Sequence, residues 1–300
     1  NKLTALVLAD QAKPITPHCN TLKHEEFSPY KILLVEDNPV NQEVGRCTLE
    51  EIGLPVDIAA NGKLALEMLN HTDPASPYAL IFLDCQMPEM DGYQVCKYIR
   101  SGHAGDHYRA IPVIALTANA MTGDKEKCIS AGMNDYLPKP FTPTDLIAKL
   151  QHWLPFELNT AAPTATKTLD NDKAETETPI WISAKALESA MGRPEVLEKL
   201  LQLFCAQINE QVDALDKAFM TSNTVAITSI AHAVKGSSGQ LHGMQLNHCA
   251  RNLEQAGIAN NQVAVKELYS EFKIHCHNLK ECFETYLHQR DSAANNTHLV

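Results

Sequence analysis

Residues 80–92 read LIFLDCQMPEMDG. The apolar run Ala79 to Leu83 ends on a single acid, Asp84, and polar and turn-forming residues follow it. Such a pattern describes a buried strand that delivers a carboxylate to the edge of a sheet. In α/β proteins the carboxyl ends of the strands are where chemistry is placed. Taken alone, Asp84 reads equally well as a cap of the turn that follows. The residues at the other strand ends decide between the two.

Working outward, the same alternation repeats on both sides. Apolar KILLV starts at Lys31 and gives way to Glu36-Asp37 and then Asn38-Pro39, a helix start. Val40, Val44, Cys47 and Leu49 then mark an amphipathic helix ending near Gly53. Further strands are expected at Val56–Ala59, Ala79–Leu83, Pro112–Leu116 and Asp135–Leu137. Helices are expected at about Gly62–Asn70, Asp91–Arg100, Thr122–Ala131 and Thr142–Leu154. Strands that alternate with helices require right-handed crossovers and a parallel sheet covered on both faces. The expected fold of residues 30–154 is therefore a doubly wound, flavodoxin-like α/β domain with a five-stranded parallel sheet.

The rest of the chain has a different character. Residues 155–179 contain AAPTATKT and an acidic run to Glu177, with little to fill a core, and read as a flexible linker. From residue 180 to 290 the period is helical throughout. One stripe runs Leu197, Leu200, Leu201, Phe204, Ile208, Val212, Leu215 and Phe219. A second takes Ile227, Ile230 and Val234, a third Leu246, Cys249 and Leu253, and a fourth Val265, Leu268, Phe272, Leu279 and Phe283. Four stripes with short polar breaks predict an all-α four-helix bundle, followed by a disordered tail at 291–300. Residues 1–29 are a linker or the tail of a preceding domain. Lys13-Pro14-Ile15-Thr16-Pro17 echoes Lys139-Pro140-Phe141-Thr142-Pro143, but five residues are weak evidence of a repeat.

Composition narrows the function. Of 300 residues, 25 are Lys or Arg and 36 Asp or Glu, a net charge of −11. Counted by segment, the charge is −6 over 30–154, −3 over 155–179 and −1 over 180–290. An acidic first domain argues against nucleic acid as a partner and for a cation as a guest. Nine cysteines without CxxC pairs fit a reduced, cytoplasmic setting. No apolar run approaches the roughly 18 residues of a membrane span, so no membrane contact is expected within these residues.

Strands one and three of a doubly wound sheet are neighbours, so Glu36, Asp37 and Asp84 should converge. Three close carboxylates repel one another and call for a cation, and hard oxygen ligands suit Mg²⁺. Lys139 follows the fifth strand and Thr117 ends the fourth, which aims an ammonium and a hydroxyl at the same place. A carboxylate nucleophile, a metal and donors for phosphoryl oxygens are the parts of phosphoryl transfer to an aspartate.

On VEDN at 35–38, LDCQMPEMDG at 83–92, ALTA at 115–118 and YLPKP at 136–140, residues 30–154 resemble the receiver domain of two-component response regulators. The resemblance implies that Asp84 is the phosphoacceptor and that Glu36 and Asp37 hold the metal with help from the Gln86 carbonyl. It makes Thr117 and Lys139 the phosphoryl contacts and Tyr136 an aromatic switch. Glu36 stands where many receivers have Asp, with the charge intact. Gln86 and Asn119 would tune hydrolysis of the aspartyl phosphate. A phosphatase of the haloacid dehalogenase kind also uses a strand-end Asp and Mg²⁺, but its D-x-D-x-T pattern is broken here by Gln86 and Pro88.

One of the 13 histidines has a chemical neighbourhood, in AHAVKGSSG at 231–239. On a helix, Lys235 and Gly236 share the face of His232, and Ser229 lies one turn before it. Small neighbours admit another active site to the imidazole, and the lysine offsets phosphoryl charge. Residues 180–290 resemble histidine-containing phosphotransfer (HPt) domains, with His232 at the phosphohistidine position and Lys235, Gly236 and Ser237 matching the motif. The chain departs from that pattern at His242, where the family usually has Gly, so the helix end there is expected to be repacked. His275-Cys276-His277 with Cys282 lacks the i, i+4 pairing of helical zinc ligands and reads as surface and core.

Together the resemblances imply the C-terminal part of a hybrid sensor histidine kinase. In that case a kinase phosphohistidine loads Asp84, Asp84 passes the group to His232, and His232 passes it to a separate response regulator. Docking should use the first helix near Val40 and Asn41 and the loop after Lys139. No Gly-rich nucleotide loop is visible, so ATP chemistry is expected elsewhere in a parent histidine kinase, anchored in the bacterial inner membrane. The competing expectation keeps both folds but makes the pair a scaffold that works without phosphorylation.

Overall fold

The computed structural model describes residues 30–118, 122–155 and 178–297. The tail at 1–29, Asn119 and most of the 155–179 linker lie outside them. Five parallel strands form the first unit: β1 (Lys31–Val35), β2 (Val56–Ala59), β3 (Tyr78–Asp84), β4 (Val113–Thr117) and β5 (Asp135–Pro138). Their order in the sheet is β2-β1-β3-β4-β5, so the chain reverses its winding between β1 and β3. Val35 pairs with Leu83 across that junction, which brings the residues after β1 beside the end of β3. This is the doubly wound sheet expected from the sequence.

Local chemistry starts each helix where the site needs it. Helix α1 (Pro39–Glu51) is capped by Asn38, whose side chain accepts from the Val40 N–H, and Pro39 occupies its first turn. Helix α2 (Gly62–His71) is capped by Asn61, and α3 (Gly92–Arg100) by Asp91. Gly92 is demanded by crowding: a Cβ there would lie 2.2 Å from the Asp84 carbonyl oxygen. That close approach folds α3 back against the strand end and explains the glycine in MDG. Helix α4 (Thr122–Ser130) follows β4, and α5 (Pro143–Trp153) opens with a capping box between Thr142 and Asp145.

The second unit holds α6 (Ser183–Ser189), α7 (Pro194–Met220), α8 (Thr224–Gln240), α9 (Met244–Ile258) and α10 (Gln262–Thr297). The last four are the expected bundle, and the short α6 is an addition the stripes did not show. Leu197, Leu200, Leu201, Phe204, Ile208 and Leu215 are buried, whereas Val212 and Phe219 from the same stripe lie at its half-buried border. Phe219 stacks on Tyr269, with ring centroids 3.9 Å apart. Helix α10 continues to Thr297, where a disordered tail from 291 was expected. The helix-compatible run DSAANNT carries no Gly or Pro to stop it.

His242 is indeed the site of an unusual helix end. Its φ is +56°, in the left-handed region that favours glycine. The Gly243 N–H donates to the Ser238 carbonyl at 2.8 Å and the His242 N–H to that of Gly239 at 3.1 Å, the two bonds of a Schellman motif. The imidazole Nε2 lies 3.1 Å from Ser189 Oγ on α6, so the side chain replacing glycine's hydrogen ties down the extra helix.

The two units pack against each other. A continuous cluster of buried apolar side chains runs from one sheet face (Ile32, Leu34, Phe82) through Val40 and Val44 of α1 into the bundle at Leu197, Leu200 and Val234. Around it, Asn38 Nδ2 donates to the Ala233 carbonyl at 3.1 Å and Gln240 Nε2 to the Phe141 carbonyl at 3.0 Å. Arg193 meets Glu51 at 3.0 Å and Lys199 meets Glu43 at 2.8 Å. The docking surfaces expected from the sequence, α1 and the loop after Lys139, are those in use. Among the described residues no helix is long and apolar enough to cross a membrane.

Candidate functional site

The acids converge as the topology requires. Glu36 and Asp84 are almost fully buried, Asp37 is half-buried, and carboxylate oxygens of the three lie within 4.8 Å of one another. Lys139 sits between them, its Nζ 2.6 Å from Glu36 Oε2 and 2.7 Å from Asp84 Oδ2. The lysine is aimed by β5: its own N–H donates to the Thr117 carbonyl at 2.7 Å. The remaining Glu36 oxygen accepts from Asn41 Nδ2 at 2.9 Å, and Asp84 Oδ1 accepts from the Gln86 N–H at 3.1 Å.

Three carboxylates against one ammonium leave the cluster short of positive charge. Burial pushes Glu36 up to about 8, with Lys139 opposing the shift and Asp84 adding to it. Asp37 is raised by the same causes, burial first and then Asp84, against Lys139 and His232. Burial alone would pull Lys139 down, but Asp84 and Glu36 override it and hold the ammonium above its usual range. An oxygen-only cluster with excess negative charge and an acid at its solvent edge fits a hard divalent cation.

Thr117 ends β4 and is buried beside Ala118, where it borders a cleft with Cys85 and Gln86. Tyr136 does not reach the acids. It is half-buried, with Lys125 Nζ 5.6 Å and Lys149 Nζ 5.5 Å from its ring centroid.

His232 arrives from the other unit. It lines one cavity with Glu36, Asp37, Asp84 and Lys139, and Lys235 and Gly236 line it too. A Cβ on Gly236 would come 3.4 Å from Asn41 Nδ2, an ordinary contact distance, so Gly236 faces α1 but the space there does not require a glycine. Ser237, in contrast, turns away: it is buried, and its hydroxyl donates to the Ala233 carbonyl of its own helix at 3.2 Å.

One residue of this site was missed from the sequence. Glu254 on α9 is buried and holds both polar members of α8, His232 Nδ1 at 2.6 Å from Oε1 and Lys235 Nζ at 2.5 Å from Oε2. Burial would raise its carboxyl, but the hydrogen bonds from His232 and Lys235 win and hold it below the usual carboxylate range. A carboxylate can only accept, so Nδ1 carries a proton, and in the neutral ring that leaves the lone pair on Nε2. The sequence signal was an acid at position 254, one turn from Ala250 and next to Leu253, on the face that otherwise packs inward.

Residues 32–151 match the response regulator receiver domain family, and residues 199–288 match the Hpt domain family. The chain carries a receiver domain followed by an Hpt domain. Relatives that align over most of this chain include a signal transduction histidine kinase and a sensor protein. The signal transduction histidine-protein kinase BarA of Shigella flexneri is 30% identical over 227 residues, 75% of this chain and 23% of that protein. The aerobic respiration control sensor protein ArcB of Escherichia coli O157:H7 is 28% identical over 81% of this chain and 30% of its own length. The chain thus spans less than a third of these relatives. Among solved structures, the receiver domain of sensor histidine kinase PA1611 from Pseudomonas aeruginosa, with magnesium in its active-site cleft, is 44% identical. That match covers 41% of this chain and 96% of the other, with a TM-score of 0.37.

Proposed function

We propose that this receiver–Hpt pair passes a phosphoryl group from Asp84 to His232, loaded from a histidine kinase core and emptied into a separate response regulator. One observation carries the reading: the strand-end aspartate and the Nδ1-anchored histidine line one cavity, with a lysine beside each. In the first step a carboxylate oxygen of Asp84 attacks the phosphorus of a kinase phosphohistidine, so that a P–N bond breaks and a P–O bond forms. In the second, His232 Nε2 attacks that phosphorus, and the Asp84 carboxylate is regenerated as the leaving group. Lys139 and Thr117 contact the phosphoryl oxygens on the receiver side, and Lys235 offsets their charge as they reach the bundle. Gly236 leaves room for the approach, and Ser237 supports α8 from within.

Glu36, Asp37 and Asp84, with the Gln86 carbonyl, would hold Mg²⁺, which supplies charge neutralisation to the transferring group. Switching through Thr117 and Tyr136 belongs to the same reading, and would require Tyr136 to leave its place between Lys125 and Lys149. The parent chain is then a membrane-anchored histidine kinase that carries the ATP site.

The test is a label chase with the whole chain, its phosphorylated kinase core, Mg²⁺ and a candidate regulator. Asp84→Asn is expected to leave both acceptors unlabelled, while His232→Gln traps label as an acid-labile, base-labile acyl phosphate on Asp84. Label reaching the regulator through His232→Gln would overturn the proposed order, and label on Asp84→Asn would overturn its first step.

A further inference from the structure

The bundle holds a second cluster of ligating side chains, away from His232. Cys249 of α9 faces Glu271 and His275 of α10, and one ligand atom from each lies within 4.8 Å of the other two. Among Cys276, His277 and Cys282, His275 has no i, i+4 partner. Its partner is on the preceding turn instead, where Glu271 and His275 are four residues apart. The third donor comes from across the helix–helix contact, which no spacing in the sequence reveals.

Two features separate this cluster from an ordinary surface pair. Exposure is graded: the Cys249 residue is 2% exposed, the His275 side chain 19% and the Glu271 side chain 59%, so the thiol is innermost and the carboxylate is at the mouth. In addition, His275 Nδ1 is buried with no hydrogen-bond partner, and Nε2 reaches Glu271 Oε1 only at 3.4 Å. A buried ring nitrogen left unsatisfied carries an uncompensated desolvation cost, which a bound ion would relieve through modest side-chain rotation.

We propose that Cys249, Glu271 and His275 bind a thiophilic divalent cation of the zinc class, with a fourth position open to water. One sulfur, one imidazole nitrogen and one carboxylate oxygen match the donor set and number of a four-coordinate zinc site. They do not suit Mg²⁺, which takes oxygen donors in octahedral array, so the cluster and the Asp84 site select different ions. Binding removes the thiol proton, which leaves to solvent past Glu271. The ion would clamp α9 to α10 five residues before Glu254, on the helix that supplies the partner of His232.

Cobalt(II) is the probe, titrated into the reduced full chain with Mg²⁺ in excess. One equivalent should produce a thiolate-to-cobalt band in the near ultraviolet together with the strong visible bands of a four-coordinate ion. Zn²⁺ should bleach both. Cys249→Ala is expected to abolish the near-ultraviolet band and His275→Gln to weaken cobalt affinity at least tenfold. Zn²⁺ should raise the melting temperature of the parent chain but not that of His275→Gln. Absence of the band, or its survival at full strength in Cys249→Ala, overturns the site, because the chain has other cysteines that could produce it. If Cys249→Ala fails to fold, as judged by circular dichroism, the partly exposed His275→Gln decides, and unchanged affinity there also overturns it.

Discussion

The two proposed phosphoacceptors sit in opposite electrostatic situations. Asp84 shares its end of the sheet with Glu36 and Asp37, and one lysine pairs with Asp84 and Glu36. His232 shares the bundle surface with one acid and one lysine, so Glu254 and Lys235 balance each other. The receiver cluster is therefore left with an excess of negative charge that a cation would offset, whereas the neighbours of the histidine pair with each other. On the proposed reading a metal acts at the first acceptor and an anchored tautomer at the second.

Removing the lysine breaks the comparison most severely. In Lys139→Ala the buried Asp84 and Glu36 lose their shared partner, and a transferring phosphoryl group loses the ammonium that lines the cavity on the receiver side. Loss of one preorganised donor of this kind costs about 10²–10³ in rate. Labelling of Asp84 from the kinase core should fall by that factor even with saturating Mg²⁺, as read by quenched-flow measurement. A fall of less than about tenfold would mean that the cation, and not Lys139, carries the charge.

Glu254 tests the other half. Glu254→Ala frees the imidazole to tautomerise, and transfer from Asp84 to His232 should slow by about 100-fold, the lower end of the range set by general acid–base groups. Glu254→Gln keeps an acceptor for the Nδ1 proton and should recover most of that rate. Stability responds separately. Because the folded carboxyl is held below its unfolded value, its contribution is complete above the usual carboxylate range and disappears as pH falls through the lowered folded value. The melting-temperature gap between the parent chain and Glu254→Gln should therefore be widest near neutral pH and close in acid. A gap that widens in acid would reverse the assignment.

The same contrast explains what was legible in the sequence. A parallel sheet is written as apolar runs, and its site residues stand where those runs stop, so Glu36, Asp84, Thr117 and Lys139 could be placed together by order alone. The bundle gave up its stripes and the His232 motif, but not Glu254, which reaches His232 across 22 residues of chain. Helix pairing in a bundle has no counterpart to strand order, so partners across a helix contact stay hidden. The grouping of Cys249 with His275 was missed for that reason, and so were the individual polar contacts between the units, although α1 and the loop after Lys139 were expected as docking surfaces. Gln240 donating to the Phe141 carbonyl, or Asn38 to that of Ala233, ends on backbone and leaves no complementary letter in the sequence.

Interface charges sharpen the comparison with a smaller effect. Arg193 to Glu51 and Lys199 to Glu43 flank the apolar contact, and Arg193 and Glu51 are both well exposed. Exposed pairs contribute about 0.2–1 kcal/mol. Arg193→Glu should therefore shift docking of the bundle on the receiver by only a few-fold, measured by paramagnetic relaxation from a spin label on α1. Repairing it with Glu51→Arg should restore the original value.

The smallest effect is expected where the chain departs most visibly from the Hpt pattern. His242→Gly would relieve a non-glycine residue at φ +56°, a conformation costing about 1–3 kcal/mol. The same change deletes the contact from Nε2 to Ser189 Oγ, and a hydrogen bond of this kind returns about 0.5–1.5 kcal/mol. The opposing contributions are similar in size, so unfolding in urea should show a net change below about 1 kcal/mol. Ser189→Ala in the parent chain removes the bond without relieving the backbone and should be purely destabilising. If His242→Gly instead stabilises the chain by more than Ser189→Ala destabilises it, the histidine is tolerated strain and not a tether for α6.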